Sequence, residues 1–176
     1  MGITVAAIKE LRELSSASVA DCKKALNDME GDIQKAFALL RKRGLEKVAA
    51  KGDRAAKEGR VEAYVHHGNK IGVLLEVDCE TDFVAKNEAF CQFTKDLAMQ
   101  IAAASPKYIK SEDVPKDLLE LEKDKEKELY YKTHCLMEQA FIKDPSITIK
   151  DLLGSLVAKF NENIVVRKFA RYKIGE

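Results

Sequence analysis

The run Thr81-Asp82-Phe83-Val84-Ala85-Lys86-Asn87-Glu88-Ala89-Phe90 joins a strand end to a helix start, and that junction decides the fold. Ahead of it, Val61-Glu62-Ala63-Tyr64-Val65-His66 and Ile71-Gly72-Val73-Leu74-Leu75-Glu76-Val77 are β-rich segments. His67-Gly68-Asn69-Lys70 between them has a tight-turn composition, so the pair reads as a β-hairpin. Behind the run, Asn87 can cap a helix in which Phe90, Phe93, Leu97, Ile101 and Ala104 recur at three- and four-residue spacing, until Ser105-Pro106 stops it. Asp82 and Phe83 thus sit on a turn held by rigid elements on both sides, where binding groups concentrate. Phe83 itself has two readings, a staple from the turn to the core or an exposed anchor to be pushed into a partner.

Toward the N-terminus the pattern is helical. Thr4 can cap a first helix carrying Val5, Ile8 and Leu11, and Ser18-Val19-Ala20-Asp21 is a capping-box pattern that opens a second, ended by Gly31. Asp32 caps a third with Ile33, Phe37 and Leu40 on one stripe, and Gly44 after the basic Arg41-Lys42-Arg43 is expected to end it. Residues 1–45 therefore read as a compact three-helix domain, 46–59 as a basic linker with Gly52 and Gly59 as breaks, and 60–176 as an α+β core domain. Glu46, Asp53 and Glu58 are interspersed in the linker and no aromatic offers a stacking platform, so a solvated connector is expected there.

Beyond Pro106, Ser111-Glu112-Asp113-Val114-Pro115 reads as a helix start with proline in the first turn. Lys116–Tyr131 reads as an exposed helix with Leu118, Leu119, Leu121 and Leu129 as its only apolar anchors. Thr148-Ile149-Lys150-Asp151 opens another helix with Leu152, Leu153, Leu156, Val157 and Phe160 inward, and Ile164–Tyr172 alternates as a strand. That strand and the hairpin make a small antiparallel sheet of about three strands packed with helices, an α+β fold.

The chain has 176 residues, enough for a very small domain beside a medium one. Thirty basic against 29 acidic residues create no general field for nucleic acid, so a protein partner is expected rather than direct nucleic-acid binding. No apolar run approaches membrane-spanning length, and the basic start and apolar stretch of a secretory signal are absent. Cys22, Cys79, Cys91 and Cys135 lack metal-site and redox spacings and read as reduced, mostly buried thiols. There is no phosphate-binding Gly-x-x-x-x-Gly-Lys-Ser/Thr loop and no Gly-x-Gly-x-x-Gly after a strand. His66, His67 and His134 form no metal-ligand pattern, and no nucleophile has a companion base that the sequence identifies. The expectation is a non-enzymatic protein with no catalytic residues, no cofactor and no metal.

Cys79-Glu80-Thr81-Asp82-Phe83-Val84-Ala85-Lys86-Asn87 resembles the signature of the elongation factor Ts family of bacteria and organelles. The likeness continues in order through Lys9–Leu14, Asp21–Leu26 and Gly31-Asp32-Ile33, and through Lys143–Ser146, Val157–Lys159, Glu162–Arg167 and Phe169–Tyr172. What the resemblance implies is a guanine-nucleotide exchange factor for elongation factor Tu, binding both its GDP-bound and nucleotide-free forms during translation elongation. The three N-terminal helices are then similar to a ubiquitin-associated-type bundle. The single core repeat implies a homodimer, located in the bacterial cytoplasm, or in an organellar matrix or stroma after removal of a transit peptide.

By the same resemblance, Thr81, Asp82, Phe83 and Val84 form the turn that disturbs the Mg²⁺ and phosphate site of the partner. Leu11, Val19, Ala20, Lys51, His67, Phe160 and Asn161 are further partner contacts, although Leu11 and Val19 are also readable as core and His67 as a solvated turn residue. The chain departs from the family pattern at Ser15–Ala20, where members have Thr-Gly-Ala-Gly-Met-Met. It departs again at Phe160 and Asn161, which replace isoleucine and glycine, and by a stretch lacking between Tyr131 and Cys135. An adaptor acting through the N-terminal helices, with Phe83 irrelevant, is the alternative function, and an RNA-binding accessory using the basic linker is a third.

Overall fold

A computed structural model describes residues 3–15, 17–118 and 124–176. The chain divides into two compact units, Met1–Ala55 with Asp151–Ile164, and Ala56–Lys150 with Val165–Glu176.

The first unit is built on three helices, α1 (Val5–Ser15), α2 (Val19–Asp28) and α3 (Ile33–Lys51). Their starts are those expected from the caps. Thr4 Oγ1 accepts from the Ala7 amide, Ser18 Oγ from Asp21 and Asp32 Oδ1 from Lys35, at 3.2, 3.1 and 3.0 Å, each satisfying an amide that the helix leaves unpaired. Leu11, Cys22, Ala25, Leu26 and Ala36 form the core.

Gly44 does not end α3, which continues about two more turns to Lys51. Gly44 serves packing instead. A Cβ there would lie 3.0 Å from the backbone of Gly154, and one on Gly154 would lie 3.2 Å from Gly44. Gly154 belongs to α7 (Ile149–Phe160), and the glycine pair lets the two helix backbones approach more closely than side chains allow. Arg41 and Arg43 are correspondingly not a helix terminus: Arg41 pairs with buried Asp151, and Arg43 donates to Asp28 at 2.6 Å. The expected linker is therefore helical at first, and its next residues are pinned by Asn163, whose Nδ2 donates to the Arg54 carbonyl at 2.7 Å.

In the second unit, β1 (Glu58–Val65), β2 (Ile71–Cys79) and β5 (Val165–Lys173) form an antiparallel sheet in the order β1-β2-β5, giving the expected α+β class. Gly68 and Asn69, both at positive φ, close the hairpin as their turn composition predicts. Gly59 is no break but the second residue of β1, at φ +153°, where a Cβ would meet the Val77 carbonyl at 2.4 Å. Val73, Leu75 and Val77 alternate onto the face covered by α5 (Glu88–Ala104), which buries Phe90, Phe93, Leu97 and Ile101 against them. A single helical turn, α4 (Asp82–Ala85), lies between β2 and α5.

The helix expected from Ser111 is replaced by two 3-10 turns, Ser111–Asp113 and Lys116–Leu118. Val114 between them is extended because the proline ring of Pro115 excludes the helical conformation from the residue before it. Of the expected charged helix, α6 spans Asp124–His134, while Leu119 and Leu121 fall outside the described residues. α6 runs unbroken through Tyr131 to His134, the place where a stretch was expected to be lacking. A small hairpin of β3 (Ala140–Phe141) and β4 (Asp144–Thr148), not expected from the sequence, precedes α7. Cys22, Cys79 and Cys135 are buried, Cys91 is half-buried, and all four are free thiols.

Candidate functional site

The Thr81–Asn87 segment is a capped helical turn set directly onto a second capped helix. Thr81 is extended, and its Oγ1 accepts from the Val84 amide at 3.4 Å while its carbonyl accepts from Ala85 at 3.2 Å. Asn87 then caps α5, its Oδ1 accepting from Ala89 at 3.0 Å. An isolated turn of helix is unstable because nucleation fixes several residues for very few hydrogen bonds. Here the surrounding unit supplies what the turn lacks. Val84 is only 3 % exposed, the Cys79 thiol donates to the Thr81 carbonyl at 3.2 Å, and the half-buried Cys91 thiol donates to the Ala85 carbonyl at 3.7 Å.

Phe83 is thrust outward from this fastened turn with 76 % of its surface in water. It is not the staple; Val84 is. Asp82 beside it is exposed and held by Lys86, whose Nζ donates to Oδ2 at 2.7 Å. This hydrogen bond, more than the charge attraction that accompanies it, keeps the Asp82 carboxyl below its ordinary pKa and lifts the Lys86 ammonium above its own. The site thus offers an exposed aromatic side chain beside a negative charge held in place by Lys86. Among the described residues, no group of three His, Cys, Asp or Glu side chains is placed to hold a metal ion.

The remaining residues singled out in the sequence are distributed over both units. Leu11 is wholly buried at the centre of the three-helix core and has no surface to present. Lys51, at the end of α3, is only 6 % exposed. Val19 and Ala20, on the first turn of α2, are exposed, as is His67 in the β1–β2 turn. Phe160 is half-buried at the end of α7. Asn161 follows it at φ +57°, its amide donating to the Val157 carbonyl at 2.8 Å, so asparagine takes the left-handed position that glycine commonly fills after a helix.

Comparison with known proteins supplies the family. The family model described as Elongation factor TS matches residues 4–130. The chain belongs to this family. Elongation factor Ts of Caldanaerobacter subterraneus subsp. tengcongensis is 49 % identical, covering 99 % of this chain and 98 % of the relative. Elongation factor Ts of Carboxydothermus hydrogenoformans is 47 % identical, over 99 % of this chain and 90 % of the relative. That of Geobacter sulfurreducens is 46 % identical, over 100 % and 91 %. The first alignment runs over 195 positions against the 176 residues of this chain, so that relative carries residues lacking here. Membership makes the chain a translation elongation factor of protein biosynthesis.

Sequence reasoning missed two features of the site. Lys86 lies four residues after Asp82, the spacing of helical ion pairs, and was legible in principle. The second is a polar cluster of Arg60, Glu62 and Thr94 around Cys91, whose only sequence signal is a glutamate on the apolar side of an alternating strand.

Proposed function

We propose that this chain is the guanine-nucleotide exchange factor of elongation factor Tu, working in the bacterial cytoplasm or its organellar equivalent without covalent chemistry of its own. The observation that carries this reading is Phe83, an almost bare aromatic on a turn whose neighbours Cys79, Val84 and Phe90 are buried. Burying such a side chain on docking gains about 1.5–3 kcal/mol, and the fastened turn keeps little ordering entropy to be lost. Phe83 enters the partner's nucleotide domain beside its Mg²⁺ site, and Asp82 meets polar groups there and keeps the insertion in register. The groups that hold Mg²⁺ and the GDP phosphates are displaced.

Exchange is then a coupling free energy. A protein that binds nucleotide-free Tu more tightly than Tu·GDP weakens GDP by the same factor, and GDP weakens it reciprocally. Exposed Val19, Ala20 and His67 remain candidates for further contact, and Phe160 and Asn161 retain a defined turn with which to reach the partner.

A homodimer is the second part of the proposal. The sheet face opposite α5 carries Val61, Val65, Leu74 and Tyr172, all exposed, with Ala63 and Ala170 between them by register. Contiguous apolar surface of this kind on a strand-paired face marks an interface. A second copy stacking its own sheet there would bury it.

The deciding experiment is release of a fluorescent GDP analogue from elongation factor Tu, chased with excess GDP, by the wild type and Phe83→Ala. Loss of a buried aromatic anchor costs at least ~2 kcal/mol of binding, roughly thirtyfold in exchange efficiency. Acceleration by the wild type and little by the variant is the expected result. Equal acceleration by both removes Phe83 from the mechanism, and no acceleration by either folded protein transfers the function to the adaptor alternative.

A further inference from the structure

Glu62 is out of place by the rule that builds its strand. It pairs with Leu75, shares the face on which α5 packs, and buries its carboxylate there among apolar side chains. Its partner Arg60 is only half-buried, and a pair with a buried carboxylate is commonly no more stabilising than apolar residues of the same volume, so stability does not explain why Glu62 is present. Its contacts run toward the Phe83 turn. Arg60 Nε donates to Glu62 Oε2 at 2.8 Å, and the Thr94 hydroxyl lies 3.0 Å from the same oxygen and 2.9 Å from the Cys91 carbonyl. Arg60 Nη1 donates to Cys91 Sγ at 3.5 Å, and Cys91 Sγ donates to the carbonyl of Ala85. That carbonyl belongs to the last residue of α4, one of the acceptors a helix end leaves without a partner.

We infer that Arg60 and Glu62 are positioning residues for the Phe83 turn. Their ion pair fixes Cys91, Cys91 fixes the end of α4, and α4 fixes the direction in which Phe83 leaves the surface. Neither residue needs to touch the partner. An aromatic wedge that must enter a defined gap loses efficiency when its base moves by a fraction of an ångström. A polar network holds direction where apolar packing alone permits sliding.

This inference rests on reading the Phe83 turn as the docking element, and the test separates the two. The combined variant Arg60→Met, Glu62→Leu exchanges the pair for apolar residues of similar size, and Cys91→Ala removes the link with the smallest possible change. Each is compared in the GDP-release assay in the wild-type and in the Phe83→Ala background, with thermal unfolding followed in parallel. The expected result is a loss of exchange efficiency of about tenfold for the pair and about threefold for Cys91→Ala, the scale of couplings between contacting groups. Neither loss should recur once Phe83 is already alanine, because the network acts only through it.

Undiminished exchange by Cys91→Ala and by any folded pair variant overturns the inference. So does a loss of equal size in both backgrounds, which is what general destabilisation produces. If Phe83→Ala alone leaves exchange unchanged, it is the reading of the turn that falls, and the positioning role with it.

Discussion

Asp82 and Phe83 are neighbours on one turn and both exposed, but Phe83 stands bare while Asp82 is clasped by Lys86. Because Phe83 packs on little of its own chain, Phe83→Ala should change folding stability by less than about 0.5 kcal/mol in urea titration while exchange collapses. For Asp82 the sign follows from its depressed pKa. The pair is intact above the ordinary aspartate range and is lost as pH falls through the lowered pKa of Asp82. Lys86→Met should therefore move the Asp82 carboxyl resonance, followed by NMR against pH, upward toward its ordinary titration; an unmoved midpoint would show that the pair does not form in solution. The run Thr81–Phe90 told that a turn would sit here, with an aromatic and an acid on it. It did not tell whether Phe83 faced in or out, because Phe83 and Val84 are both apolar and only the packing of α4 on its unit decides which of them is buried.

At the scale of elements, caps were legible because capping is local. Thr4, Ser18, Asp32 and Asn87 each satisfy amides within three residues of themselves. Gly44 was misread for the complementary reason. Glycine after a basic cluster is a common helix end, and only the presence of Gly154 on α7, more than a hundred residues away, shows it to be a crossing point. Gly44→Ala should gain about 1 kcal/mol in helix propensity but lose about 1–3 kcal/mol to the forced separation of the two backbones. A net loss of stability measured by chemical unfolding is expected, and a net gain would show that the crossing yields easily. Asn161, held left-handed, should tolerate glycine and resist valine, with Asn161→Val destabilising by about 1–2 kcal/mol in the same measurement. The β3–β4 hairpin escaped notice because strands of two and five residues carry too few alternations to register against a background of Asp144-Pro145-Ser146.

At the scale of the whole molecule, the proposed dimer places the outward sheet face at its interface. Leu74 lies at its centre, opposite Ala63 on one side and Ala170 on the other. If the proposed dimer forms there, Leu74→Glu should leave only monomer in sedimentation velocity across a concentration series, with the fold retained; a wild type that is monomeric at all concentrations would remove the dimer from the proposal. The sequence by itself determined the α+β class, the order of the helices and the hairpin, and the family, because each rests on local periodicity, on caps within a turn of their helix, or on short motifs in fixed order. Only the tertiary structure decided that Leu11 and Lys51 lie inside, that Gly44 faces Gly154, and that a buried Glu62 paired with Arg60 stands behind the turn carrying Phe83. Those facts depend on which surfaces meet across long separations in the chain, and no local pattern of residues encodes a meeting of that kind.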